Sequence, residues 1–257
     1  SSIKDKKVPV SFWAFIDFDR SESYNFYIHG NGRLAMSYES GGENDLVAAT
    51  VSNNGIPHIG TFIFDTNVNN ESKMRLDGFE DYSGDIVTAD INVTANRFGF
   101  IGDGSEANSA NGATNDFYYD GDIAEIILYD KGALTASEIN KIESYLALKY
   151  GVSLDQTIST YKNSANTTIW DNTTYWNDVA GIINDSSVGA IDQKIAVSAT
   201  NNQLIVATNN DYSSLNNDVS RTSLTLGTSL LFGHNGNTAE FEGFDIPNKE
   251  HIYKRKW

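Results

Sequence analysis

The chain has 257 residues, a hydrophobic share of 40% and a formal charge of −16, from 34 acids against 18 bases. It is too apolar for a disordered chain and too acidic to favour phosphate backbones or anionic bilayers. It holds no apolar run near the ~20 residues of a membrane helix. It has no cysteine, which excludes disulfides, thiolate metal sites and cysteine nucleophiles.

Asn, Asp, Ser, Thr and Gly are abundant and only three prolines occur. This composition predicts many short strands joined by polar turns. Val8–Phe18 is apolar on both alternating sets and reads as a strand covered on two faces. Asn25–Gly30 and Arg33–Glu39 flank Gly30-Asn31-Gly32, a hairpin signal. Further strands are expected at Leu46–Val51, His58–Asp65, Lys73–Leu76, Asp85–Val93 and Asn96–Ile101. Gly102–Asp116 carries no large apolar residue and reads as a long functional or mobile loop. Phe117–Asp130 then reads as a central strand.

One segment has helical signals. Thr135-Ala136-Ser137-Glu138 fits a capping box, Ile139, Ile142, Leu146 and Tyr150 follow near a 3.6 period, and Gly151 stands where a C′ glycine belongs. The expected buried stripe is Ile142 and Leu146, closing the β unit that precedes the helix. Asp155–Thr174 is weakly patterned. Strands return at Val179–Ile183, Lys194–Ala199, Gln203–Thr208, Ser229–Phe232 and His251–Lys256. The domain boundary is therefore placed at 152/153. The chain opens on Ser1 and closes on a strand that reads as cut at Trp257, so it is expected to be a fragment of a longer protein.

Gly121–Gly151 (GDIAEIILYDKGALTASEINKIESYLALKYG) resembles the closing segment of bacterial laminin-G-like domains, of the concanavalin A-like lectin/glucanase superfamily. The resemblance implies a two-sheet jelly roll over residues 1–152. Tyr175–Ile182, Asp192-Gln193-Lys194, Gly227–Asn235 and the Lys254–Trp257 ending resemble a β domain that follows such modules in large bacterial surface proteins, many exported by the type IX system. That resemblance carries no activity with it. It implies a second, β-rich domain at 153–257, incomplete at its C-terminus, and a secreted or cell-surface location.

Catalytic signatures are missing. The four histidines, His29, His58, His234 and His251, show no metal-ligand spacing and are expected to be structural or superficial. There is no nucleophile elbow, and the carboxylate array of the glucanases is absent. The nearest text, Glu240–Asp245, has different spacing. The chain is therefore expected not to be an enzyme. A binding site is expected where oxygens are densest. Asp103, Glu106, Asp116, Asp120 and Asp122 are candidate ligands for calcium, which takes six to eight oxygens. Tyr118, Tyr119 and Asn115 adjoin them as candidate sugar contacts, aromatic faces packing on pyranose C–H and the amide bonding hydroxyls. The bland alternative is a solvated loop whose Asn and Asp only make turns. Trp170, in a polar Asn/Thr segment, is a further candidate sugar platform, whereas Trp13 and Trp176 are expected to be packing residues.

The reading is thus an all-β, non-catalytic adhesion or carbohydrate-binding fragment, with a glycan or other cell-surface ligand as partner, no nucleic acid and no membrane insertion. A stalk or filament subunit assembling by strand pairing, and an accessory domain of a polysaccharide-degrading enzyme, are the alternatives.

Overall fold

The computed structural model describes residues 16–17, 24–39, 43–63, 72–84, 100–104, 117–119, 121–129, 134–155, 160–171, 173–186, 191–198, 204–242 and 252–257. The chain divides into two compact units, residues 1–134 and 135–257. Both are β-rich, and the described residues contain one helix. That helix is neither long nor apolar enough to cross a membrane.

The first unit carries β1 (Ile16–Asp17), β2 (Tyr24–Ile28), β3 (Arg33–Glu39), β4 (Glu43–Val51), β5 (Gly60–Ile63), β6 (Ser72–Leu76), β7 (Phe79–Gly84), β8 (Phe100–Ile101), β9 (Asp103–Gly104) and β10 (Phe117–Tyr118). They form an antiparallel sheet in the order β4-β3-β2-β1-β8, a three-stranded sheet β5-β6-β7, and the pair β10-β9. The Gly30-Asn31-Gly32 turn forms as the sequence predicts. His29 N–H donates to Arg33 O at 2.8 Å and Gly32 N–H to His29 O at 2.7 Å. Gly32 sits at φ +77, a left-handed conformation that favours glycine, and a Cβ there would fall 2.1 Å from the Asn53 side-chain oxygen.

A second hairpin joins β6 to β7 through Asp77-Gly78, both at positive φ (49° and 83°), the geometry of a two-residue type I′ turn. The alternation in β6 buries Ser72, Met74 and Leu76. Met74 and Leu76 meet Phe26, Leu34, Met36 and Ala48 of the larger sheet in one core, with Phe62 packed 4.7 Å from the Phe26 ring. The buried Asp81 of β7 stitches the two sheets together, accepting Thr50 N–H at 2.9 Å and the Thr50 hydroxyl at 2.7 Å.

Two expectations change, and others fall on residues that are not described. β7 is a strand that the sequence reading passed over, because its FEDYSG text has no apolar alternation and its buried position is an aspartate satisfied by Thr50. The expected strand Phe117–Asp130 is a ladder only at Phe117–Tyr118; residues 122–129 join no ladder among the described residues, although Ile126 packs on the core. Most of Val8–Phe18, all of Asp85–Val93 and most of Asn96–Ile101 lie outside the described residues.

The second unit opens with α1 (Ala136–Tyr150), followed by β11 (Tyr161–Lys162), β12 (Thr168–Trp170), β13 (Asn177–Asp185), β14 (Ile191–Gln193), β15 (Ile195–Val197), β16 (Ile205–Ala207), β17 (Thr228–His234), β18 (Phe241–Glu242) and β19 (Ile252–Tyr253). The capping box is real. Glu138 N–H donates to the Thr135 hydroxyl, and Thr135 N–H donates to Glu138 Oε2 at 2.8 Å. Gly151 at φ 69 ends the helix in the left-handed region.

The face that α1 buries is not the predicted one. Asn140, Glu143, Ser144, Tyr145, Ala147 and Leu148 are buried, while Ile139, Ile142 and Leu146 are half-buried. The reason is local hydrogen bonding. The Ser144 hydroxyl donates to Asn140 O at 2.6 Å and accepts Lys162 N–H of β11 at 2.9 Å, so a polar stripe becomes a packing face. The helix thus stands with the second unit, ahead of the 152/153 boundary read from sequence.

The sheet order there is β14-β13-β17. Its core joins Ala180, Ile182, Ala196 and Phe232, with Leu204, Val206 and Leu224 against it. Gly181 presses on β17: an added Cβ would meet Leu230 O at 2.5 Å. The register shifts between Asn177 and Ala180, a bulge that holds Asp178 at φ 50.

Candidate functional site

The oxygen-rich stretch predicted as a binding loop is tied off at its base. β9 and β10 pair so that Gly104 faces Phe117 and Asp103 faces Tyr118, and Tyr119 N–H donates to Gly102 O at 2.9 Å. Gly102 takes φ +77 to turn β8 into β9, with nothing within 4 Å of an added Cβ. Of the predicted residues, the structure therefore brings Asp103 and Tyr118 together as cross-strand partners. Tyr119 is half-buried and packs against the core of the first unit instead of lying open as a platform. Burial first, and then the nearby Asp122 carboxylate, push its phenol above the ordinary tyrosine range. Asp122 itself is exposed. Glu106, Asn115, Asp116 and Asp120 lie outside the described residues. Among the described residues, no three His, Asp or Glu side chains gather as metal ligands.

Trp170, the other predicted contact, is half-buried in β12. Its ring edge crosses the Gly233 backbone, where an added Cβ would lie 3.2 Å from Cζ2, and its buried Nε1 has no hydrogen-bond partner among the described residues. Trp176 departs from its expected packing role: it is 44% exposed, at the edge of the Asp178 bulge. Trp13 lies outside the described residues.

Sequence reasoning missed how the two buried histidines are used. His58, 4% exposed, lies with Nδ1 2.6 Å from Asp77 Oδ2 and Nε2 2.8 Å from Asn54 Oδ1. Asp77 also accepts Ile59 N–H at 2.7 Å and bonds back through its own N–H to Ile59 O at 2.9 Å. His234 lies with Nε2 3.0 Å from Asp178 Oδ2, and its Nδ1 accepts Gly236 N–H at 2.9 Å. Trp257 stands edge-on to it at 5.0 Å. Each ring has both nitrogens engaged by groups of the protein itself. The signal was present in the text, His58 and Asp77-Gly78 each within a strand-and-turn motif, but nothing in the spacing says they meet.

A third constellation organises the long connection 209–227. The buried Arg221 guanidinium donates to Leu215 O (3.0 Å), Asn209 Oδ1 (2.8 Å) and Ser214 O (2.6 Å). Asn216 Oδ1 accepts Lys194 N–H at 2.6 Å, and its amide donates to Asp192 O at 2.8 Å. Hydrogen bonds from Ser214 and Ser213 hold the Asp211 carboxyl well below the usual range, and the Ser220 hydroxyl and N–H do the same for Asp218.

Comparison with known proteins adds one finding. No curated protein and no solved structure matches the chain. Residues 138–257 match a family model described as a domain of unknown function, DUF8202, and the match begins inside α1 and runs through every strand of the second unit.

Proposed function

We propose that the chain is a non-catalytic binding fragment of a secreted or cell-surface bacterial protein, in which a laminin-G-like jelly roll presents an oxygen-rich loop to a glycan, with calcium as the bridging ion. The observation that carries this reading is the β9–β10 ladder. It pairs Asp103–Gly104 with Phe117–Tyr118 within the Gly102–Asp122 stretch and sets Asp103 opposite Tyr118. The paired strands hold the backbone of Asp103 and Tyr118 in register, which lowers the ordering cost for a ligand that contacts them. The engagement of both nitrogens in each buried His–Asp pair supports the non-catalytic half of the reading.

The test is calcium titration by calorimetry, with glycan-array binding measured with and without chelator. Saturable calcium binding that Asp103→Asn with Asp122→Asn weakens at least tenfold, and glycan binding lost with chelator, would support it. Heat-silent titration together with blank arrays would reject it. A second reading, a stalk or filament subunit, is favoured by β17. Among the described residues it is an edge of its sheet and leaves Thr228, Ser229 and Leu230 exposed, Leu230 at 55%. Sedimentation velocity over a concentration series tests it: assembly that Leu230→Lys abolishes would favour the filament over the lectin.

A further inference from the structure

The chain Asn54–His58–Asp77 sets more oxygens against the imidazole than a neutral ring has protons. Asn54 Oδ1 accepts Ile56 N–H at 3.2 Å, which fixes the amide with its oxygen toward the ring, 2.8 Å from Nε2. On the other side Nδ1 is 2.6 Å from Asp77 Oδ2. A neutral ring carries one N–H and sets a lone pair against one of these oxygens. The contact with the carboxylate is charge-assisted and keeps its proton; the contact with Asn54 is the conditional one. The strand and turn on which His58 packs bring two further charges: Arg75, whose guanidinium donates to Gly78 O, and the Lys73–Glu80 ion pair at 2.8 Å, exposed and self-compensating.

We infer that His58 is a two-state latch on the 53–57 turn. With both ring nitrogens protonated, Asn54 bridges the ring and Ile56 N–H and the turn is closed. When Nε2 gives up its proton, the Asn54 amide rotates to donate through Nδ2, Ile56 N–H loses its acceptor, and the turn opens. The surroundings permit this motion. Gly55 sits at φ +83 with open space around it, and Ile56 and Pro57 are exposed. The two ends stay fixed: Ser52 is held by Gly32 O and Ile59 by Asp77. The latch changes how Ile56 and Pro57 are presented between the doubly and the singly protonated ring.

The experiment is NMR of the full chain, following the His58 ring nitrogens, the Asn54 side-chain amide and amide exchange. At the acid end of the titration both ring nitrogens are expected to carry protons, and at the alkaline end only Nδ1. The Asn54 amide resonances should move through the same transition. Ile56 protection, corrected for intrinsic exchange, should fall about 2- to 10-fold, the range of one net hydrogen bond, while Ile59 holds. Asn54→Asp, which cannot turn a donor to the ring, should move the transition to higher pH, and Asn54→Ala should remove the response of Ile56. An Asn54 amide that ignores the ring, a bare Nε2 at the acid end, or an Asn54→Asp transition at the wild-type pH would overturn the latch.

Discussion

The two units bury the same pair of side chains in different company. In the first unit His58 lies between two oxygens, and Asp77 carries three hydrogen bonds around a left-handed turn. In the second, His234 has one acceptor and one donor, and Asp178 occupies a strained bulge. A histidine with one partner of each kind is satisfied as a neutral ring, whereas one between two acceptors needs both protons. The same chemistry therefore makes a conditional joint in one unit and an unconditional one in the other. The second unit places a buried cation elsewhere: the Arg221 guanidinium donates to three neutral oxygens, with the Asp218 carboxylate nearby, and so orients a loop.

Substitutions sharpen this contrast, read by denaturation with cross-peaks from each unit followed separately. Asp77→Ala should be the most costly, about 3–5 kcal/mol in the first unit, because it strands a buried imidazole and Ile59 N–H and puts alanine at positive φ. A loss under about 1 kcal/mol would mean that the turn does not depend on this carboxylate. Arg221→Met should cost the second unit about 2–4 kcal/mol by leaving three acceptors unpaired, with the largest exchange gains confined to residues 209–227. Asp178→Gly should stay within about 1 kcal/mol of wild type, since relief of the left-handed backbone offsets the lost contact to His234. A large loss there would erase the distinction between the two pairs.

The smallest effects lie at the extremes of pH, and the two units respond at opposite ends. Hydrogen bonds from the Thr135 hydroxyl and N–H hold Glu138 below its ordinary value, and Asp211 and Asp218 are lowered by their serine partners. Lowered carboxyls contribute stability that is present above the ordinary carboxylate range and lost as pH falls through their folded values. Acid should therefore fray the start of α1 and the 209–227 connection first, and Glu138→Gln should flatten the α1 part of that response. In the first unit Tyr119 is raised, so its contribution is complete below the ordinary tyrosine value near 10 and is lost as pH rises through the higher folded value. Ultraviolet titration should show one tyrosinate signal that forms late and vanishes in Tyr119→Phe.

What could be read from sequence follows the range of the forces involved. Asn31-Gly32, the Thr135–Glu138 box and Gly151 are local rules and appear where expected, and the strands expected at Val179–Ile183 and Ser229–Phe232 lie within β13 and β17. β7 and the polar face of α1 were not legible, because Asp81, Asn140 and Ser144 are buried next to partners remote in sequence or on the next turn. The 209–227 connection has no periodicity to read, since its order comes from Arg221 and Asn216. At the proposed site the composition pointed to a stretch and the ladder supplied its base; that Tyr119 would face the core depended on a sheet that composition does not reveal.

Gly32 O accepts from Ser52 N–H at 2.7 Å, Asn53 N–H at 3.2 Å and the Ser52 hydroxyl at 3.0 Å. A surface loop of three residues usually tolerates lengthening. This one is a mooring post for a distant segment, and an extra residue between Ile28 and Arg33 would slip the line that holds residues 52–53. A change of one residue at the tip of the first hairpin should thus be felt first at Asn54, twenty-two positions after Gly32 in the sequence.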